Sequence, residues 1–429
     1  MAKVLKKAAG SGGSVVVDVC QACGSPDMKP VFFAGYLPPV NGMPAIGEQP
    51  REEPAYPAEL LHCKKCQLVQ LGLIVDPAIL FPPTYPYTSG TTKILRDNFA
   101  ELYREVSKLY PLKASDLAVD IGSNDGTLLS NFHGAGHRVC GIEPTNAAKL
   151  ANERGITTLM AFFNGQAVER VVAEHGKAKI VTATNVFAHI EDVPALSAGV
   201  LGLLADDGIF ISESHYWLAL LETFQYDTVY HEHLRYYSLT SLSNLLEANG
   251  LEAIHAKRIP THGGSIRVYA ARKGRYAVQP SVAEIRALEA RELTDARMEG
   301  FRRGVVQSKL ELYALLKDIH AKGDKVFGVG APSRASTLIN YVGLDADILD
   351  CVVEIKGSYK IGKYIPGTLI PVVDEGELFS KQPAYALLLS WHIADELIPK
   401  LSERGFEGDF IVPLPQPRIV KGRRSQSTP

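Results

Sequence analysis

Residues Asp116–Phe132 read DLAVDIGSNDGTLLSNF. A short apolar strand over Leu117–Val119 runs into Asp120. A loop from Gly122 to Gly126 follows, and then a helix. Glycine lets a backbone approach a ligand closely, and a helix start offers unpaired N–H groups. A second strand, His137–Ile142, ends in Glu143. That acid stands about 20 positions further on, where a carboxylate can accept both hydroxyls of a ribose. The loop departs from the GxGxxG pattern of dinucleotide binders. Only Gly122 and Gly126 are present, while Asp120, Asp125 and Glu143 are acidic. This charge disfavours a diphosphate. It suits a ligand with a ribose and a cationic sulfonium.

The loop resembles the first motif of S-adenosylmethionine-dependent methyltransferases, and the following segments keep that order. A strand over Ala178–Thr184 leads into Asn185-Val-Phe-Ala-His189-Ile. Leu203–Gly208 turns into a strand over Ile209–Ser212. Ile254–Ile259 and Ser265–Ala271, joined across Thr261–Gly264, read as a closing antiparallel hairpin. Ser281–His320 reads as one or two amphipathic helices, a packed connector. A second strand, Gly-rich turn and helix begins at Lys325 and carries Arg334 where the first loop carries acids. An anionic ligand such as a nucleotide diphosphate is expected at that helix start, with a plain tight turn as the alternative. Strands over Ile348–Val353 and Tyr385–Ser390 make this a second doubly wound α/β unit.

At 429 residues the chain needs two or three cores. A net charge of −2 excludes the strong basic excess of a nucleic-acid binder. No apolar run reaches the roughly 20 residues that cross a bilayer. The N-terminal residues read as a flexible leader and the basic end as a flexible tail, so a cytoplasmic location is expected.

Cys20 and Cys23 form one CxxC pair, and Cys63 and Cys66 another. Two such knuckles suit tetrahedral Zn²⁺. Disulfides are the alternative, disfavoured in a chain without an export signal. Four thiolates leave no open position, so the zinc is expected to be structural. The segment around them is rich in glycine and proline and is expected to depend on that staple. Cys140 and Cys351 sit alone in apolar, strand-like contexts and read as buried thiols.

Tyr230-His231-Glu232-His233 gathers a phenol, two imidazoles and a carboxylate in one short run. Such a group suits proton transfer near neutral pH. Metal binding by His231 and His233 on one face of a strand, or a structural polar cluster, are the alternatives. His133, His137, His215, His255 and His392 lack a partnering pattern and read as surface or core histidines.

The paired knuckles, Tyr85-Pro-Tyr87-Thr-Ser-Gly90, DIGSNDG with Gly141-Ile-Glu-Pro144, Asp227-Thr-Val-Tyr-His-Glu-His233, Gly328-Val-Gly-Ala-Pro332 and Gly362–Thr368 come in an order that resembles one family. It is the sugar-nucleotide C-methyltransferases of deoxysugar biosynthesis. The resemblance implies a small zinc-binding domain (1–80), a central Rossmann-like class I methyltransferase domain (81–277), a C-terminal Rossmann-like domain holding the sugar nucleotide (278–418) and a flexible tail (419–429). It implies His233 as base, surrounded by Tyr230, Glu232, His189 and Tyr87, with His231 among the possible donors to an enolate oxygen. The cofactor would lie against Asp120, Gly122, Ser123, Asn124, Gly126, Glu143, Pro144 and Asn185, with Tyr85 and Tyr87 near it. Substrate contacts are expected from Ser333, Arg334, Lys363, Tyr364, His262 and Arg235.

Three stretches depart from the family pattern. Ser333–Ser336 replaces a Lys-Gly-Asn-like stretch, Ser390-Trp-His392 a Pro-Trp-Asn-like one, and Arg235 a small residue. The implied reaction is deprotonation of carbon 3 beside a 4-ketone and methylation of the enolate. Carbon 5, or O- or N-methylation, is the alternative. The implied partner is a dTDP- or GDP-linked sugar, with no nucleic acid or membrane, bound by a monomer.

Overall fold

Leu117–Ile121 lies inside a seven-stranded sheet, buried along its whole length. The strand order is Leu251–Ile259, Ser265–Arg272, Leu204–His215, Ala178–Thr184, Leu117–Ile121, Arg138–Ile142, Thr158–Leu159. The last five strands pair in parallel, Ser265–Arg272 runs antiparallel to them, and Leu251–Ile259 pairs antiparallel with Ser265–Arg272 at the edge. Helices cover both faces, so the inner strands read as continuous apolar runs. Lys93–Leu109 presents Leu95, Phe99, Leu102 and Val106 to one face at helical spacing. Gly165–His175 and Val193–Leu203 cover the other. The computed structural model describes residues 7–8, 12–48, 52–80, 90 and 92–422. Tyr85 and Tyr87 lie outside the described residues.

The strand expected at Ile209–Ser212 is longer, Leu204–His215. Its pairing with the hairpin continues through His215↔Ser265. This extension carries His215 to the carboxyl end of the sheet, where open α/β folds bind their ligands.

Pro280–Glu292 and Asp295–His320 form the expected connector. Met298, Phe301, Val305, Leu312, Leu316 and Ile319 make the buried stripe of the longer helix. The C-terminal sheet is also seven-stranded. Its parallel centre comprises Pro371–Asp374, Cys351–Glu354, Val326–Val329, Tyr385–Leu388 and Asp409–Val412, with Lys363–Tyr364 and Arg418–Val420 as antiparallel edges. Cys140 and Cys351 are buried in strands, as expected.

The N-terminal segment is more regular than its glycines and prolines suggest. Met28–Leu37 and Tyr56–Cys63 form a long antiparallel hairpin, Val69–Leu71 adds a third strand, and Arg235–Tyr236 adds a fourth from the middle of the chain. Nor does this sheet have a core of its own. Phe32, Leu37, Leu60 and Leu71 pack into the C-terminal core, while Cys20, Cys63, Cys66 and Leu68 pack into the central one. Phe32 meets Phe301 and Tyr341 edge-on at 5.8 and 5.5 Å. The sheet is a wedge joining the two larger units.

Candidate active site

The glycine loop is shaped by its contacts. Gly122 has φ +69°, and a Cβ there would stand 2.4 Å from Val186 Cγ2. Only glycine suits both the angle and the space. Gly126 has φ +77° just before the helix Thr127–Gly134. Glu143 is buried beside the loop. Its Oε2 accepts the Asn124 N–H at 3.0 Å, and its Oε1 accepts the Thr145 N–H at 2.9 Å. Each oxygen keeps a lone pair for a further donor. Asp120 lies deeper, its carboxylate accepting from the Thr182 hydroxyl at 2.6 Å. Burial pushes its carboxyl up to about 7. Ser123 is buried in the loop, and Pro144 follows Glu143. Asn185, with φ +57°, donates its N–H to Glu213 O at 2.8 Å. Tight glycines and clustered acids suit a cationic, ribose-bearing cofactor.

Tyr230–His233 is not a strand. The run bends and turns, so its side chains diverge. His231 turns to the N-terminal sheet, with Nε2 3.3 Å from Pro57 O and its ring edge-on to Tyr56. This removes it from the expected enolate donors and from any shared metal face with His233. The Glu232 carboxylate accepts from Asn41 Nδ2 at 2.6 Å and does not hold His233 Nδ1. The Thr228 carbonyl does. His233 Nδ1 lies 2.9 Å from that oxygen. A carbonyl only accepts, so Nδ1 carries the proton and Nε2 keeps the lone pair. The Tyr230 ring lies against the His233 ring, tilted by 36° with centroids 4.1 Å apart. His189 and His215 meet it edge-on at 5.1 and 4.8 Å, and His262 lies 5.5 Å from His215.

His215 is thus central, contrary to its reading as an ordinary core or surface residue. Its only signal in the sequence was its place at the end of a strand. His392 is the second omission, since its turn Trp391–Ile393 packs against the turn Thr261–Gly263 that carries His262.

The expected substrate contacts divide. His262 joins the imidazole cluster, held at φ +56° with its Nε2 buried and unbonded. Ser333 opens the helix Ser333–Val342 after the Gly-rich turn. Lys363 places its ammonium 4.9 Å from the Tyr359 ring centre, and the Tyr364 N–H donates to Pro44 O. Arg334 is buried, and Nε and Nη2 each donate to Asp227 at 2.8 Å. That guanidinium is already neutralised, so its charge is not free for a diphosphate. Lys360, which the sequence reading passed over, is half-buried nearby with its ammonium donating to Ala331 O. Arg235 is a correction. It is buried, and it donates to Gln21 Oε1 and to the carbonyls of Ile190 and Glu191 at 2.6–3.0 Å. All these partners are structural, so it braces the first knuckle against the central domain and is not aimed at a sugar.

The four knuckle sulfurs lie within 4.8 Å of one another. The closest approaches cross between knuckles, Cys20 to Cys66 at 3.4 Å and Cys23 to Cys63 at 3.6 Å. A tetrahedral zinc with Zn–S bonds of about 2.3 Å needs sulfur–sulfur edges of about 3.8 Å. The four side chains fit that ion.

Comparison with known proteins finds three family matches along the chain. A zinc-binding-domain family matches residues 20–81, a methyltransferase-domain family 94–256, and a C-methyltransferase C-terminal-domain family 260–415. C-methyltransferase NovU of Streptomyces niveus is 33% identical over 411 residues, 94% of this chain and 97% of that protein. The chain belongs to the C-methyltransferase family. Two solved structures overlap part of it: an S-adenosylmethionine-dependent methyltransferase from Clostridium acetobutylicum (11% identity, 42% of this chain and 92% of that one, TM-score 0.34) and magnesium protoporphyrin IX methyltransferase from Synechocystis (15% identity, 42% and 79%, TM-score 0.32). Among the described residues, no helix of this S-adenosylmethionine-dependent C-methyltransferase is long and apolar enough to cross a membrane.

The imidazole cluster gives the C-methyltransferase a pH-dependent stability. Burial lowers His189 and His262 to about 4, and holds His215, His233 and His392 well below the usual range. Unfolded, each titrates near 6.5. Between about 6.5 and 4 the unfolded chain binds more protons, so stability falls as pH falls. Asp120 and Glu213 act oppositely, because burial raises both carboxyls. The lowered imidazoles outnumber the raised carboxyls, so a net loss of stability is expected between pH 7.5 and 5.5. Urea unfolding at those two pH values checks this; equal stability would remove the assignment of five neutral imidazoles.

Proposed function

We propose that the enzyme methylates carbon 3 of an NDP-4-keto-6-deoxysugar, dTDP- or GDP-linked, in branched deoxysugar biosynthesis. Carbon 5, on the ketone's other side, is the close alternative. The observation that carries this reading is the His233 ring, buried and neutral, with Nδ1–H bound to Thr228 O and Nε2 left as a base.

A sugar carbon becomes a nucleophile when a neighbouring ketone acidifies its C–H bond. His233 Nε2 takes that proton, and the electron pair moves into the enolate. Negative charge growing beside the imidazolium favours the charged ring as transfer proceeds. Tyr230, His189 and His262 are the candidates to donate to the enolate oxygen. Bound S-adenosylmethionine supplies the electrophilic methyl group. The carbon takes that methyl, and the proton leaves His233 for solvent. We assign the cofactor to the loop residues Gly122, Ser123, Asn124 and Gly126 with Asp120, Glu143, Pro144 and Asn185, and a structural zinc to the four cysteines. The Ser333 helix start, Lys363 and Tyr364 are kept as contacts to the sugar nucleotide, bound by a monomer. The division at 80, 277 and 418 is kept with them.

Incubation of the substrate in D₂O without cofactor tests the reaction. Deuterium at carbon 3 supports the proposal, and deuterium at carbon 5 moves the methylation there. Methyl transfer to oxygen or nitrogen without any exchange at carbon would end the enolate reading.

A further inference from the structure

Tyr226–Thr228 is a single short turn of helix, fully buried, just before the run that carries His233. Its Asp227 carboxylate is fully buried and accepts three bonds from the C-terminal domain. Arg334 gives two of them, Nε to Oδ2 and Nη2 to Oδ1, both at 2.8 Å. Trp391 Nε1 gives the third, to Oδ2 at 2.7 Å. Arg334 reaches further, with Nη2 to Gln225 Oε1 at 3.1 Å and Nη1 to the His262 carbonyl at 3.3 Å. Its guanidinium also lies over the Trp391 ring at 5.0 Å.

The next residue is Thr228. Its carbonyl accepts from His233 Nδ1 at 2.9 Å and from the Tyr236 hydroxyl at 3.0 Å. The chain of contacts therefore runs from a helix of the C-terminal domain to Asp227, through one peptide to the Thr228 carbonyl, and on to the base.

We propose that Asp227 and Arg334 are positioning residues through which the C-terminal domain holds the Thr228 carbonyl on His233 Nδ1 and so keeps Nε2 the unprotonated nitrogen. This rests on the assignment of His233 as base. A buried bidentate pair has a fixed geometry, and breaking one partner leaves an uncompensated charge that the segment moves to solvate. A carbonyl moved out of hydrogen-bond range of Nδ1 no longer selects one tautomer. The pair also explains why an arginine beside the Gly-rich turn is not available to a diphosphate.

The test uses the full chain with ¹⁵N-labelled histidine. Long-range proton–nitrogen spectra assign His233 by its absence in His233→Ala. The wild-type ring is expected as the Nδ1–H tautomer. Asp227→Asn and Arg334→Gln are each expected to give mixed tautomers and to slow deuterium wash-in and kcat about 100-fold. KM for the sugar nucleotide stays within a few-fold, and the double variant is no worse than either single one. Arg334→Lys keeps the charge without the fork, and it gives the same readout if the glutamine variant fails to fold. An unchanged tautomer in both variants would overturn the proposal. So would a raised KM with unchanged kcat in the Arg334 variants alone, which would make Arg334 a substrate contact. A lowered melting temperature with kcat per folded molecule intact would reduce the pair to a strut. The tautomer is read without substrate, so this failure is separable from failure of the base assignment, which shows as turnover retained by His233→Ala.

Discussion

Replacing His233 by alanine is expected to lower turnover by at least 10³-fold, within the range of roughly 10²–10⁴ that a positioned acid–base group supplies and added to by the loss of ring packing. Wash-in of solvent deuterium should vanish with it. Affinity for S-adenosylmethionine should stay within a few-fold, because the glycine loop and Glu143 are held by their own backbone bonds. The ring lies among Tyr230, His189 and His215, so its removal leaves a cavity. A melting curve and a cofactor titration separate that cost from lost chemistry. Retained turnover in a folded variant would remove His233 as base. Neighbouring Glu232→Gln is the contrast, since its carboxylate serves Asn41 and leaves the tautomer of His233 alone.

Changing Cys63 to serine is expected to cost the protein its zinc and most of its folded population. Cys63 ends the strand Tyr56–Cys63, is fully buried, and places its sulfur 3.6 Å from Cys23. Serine is a poor ligand for zinc, and a structural site is worth on the order of 10 kcal/mol of folding energy. The melting temperature should fall by at least about 10 °C, and metal analysis should drop from about one zinc per chain to none. The damage will not stay local. The cysteines pack into the central core while the hairpin above them packs into the C-terminal core. Loosening the knuckles therefore loosens the joint between the two large units. An equally stable, metal-free variant would show that packing alone holds the wedge.

Much of this protein is written locally. DIGSNDG announces a strand, a tight turn and a helix start, because these are short-range consequences of apolar runs and glycine. The alternation of strands and helices announces two doubly wound sheets for the same reason. Cys20, Cys23, Cys63 and Cys66 announce a tetrahedral cluster, since each CxxC sets its own bite and only the joining of two pairs is long-range.

Three features were decided by the tertiary structure alone. The four side chains of Tyr230–His233 diverge because the run is a turn, and a turn's directions depend on what its flanks are pinned to. His215 and His392 enter the site because one sheet end and the C-terminal domain deliver them there from 18 and 159 residues away along the chain, measured from His233. Arg334 and Arg235 exchange an expected ligand for buried protein partners, because a cation removed from water takes the nearest fixed acceptors. Sequence determines what each segment prefers to be. Which imidazole faces which carbonyl is set by contacts between segments far apart in the chain, and no local preference encodes them.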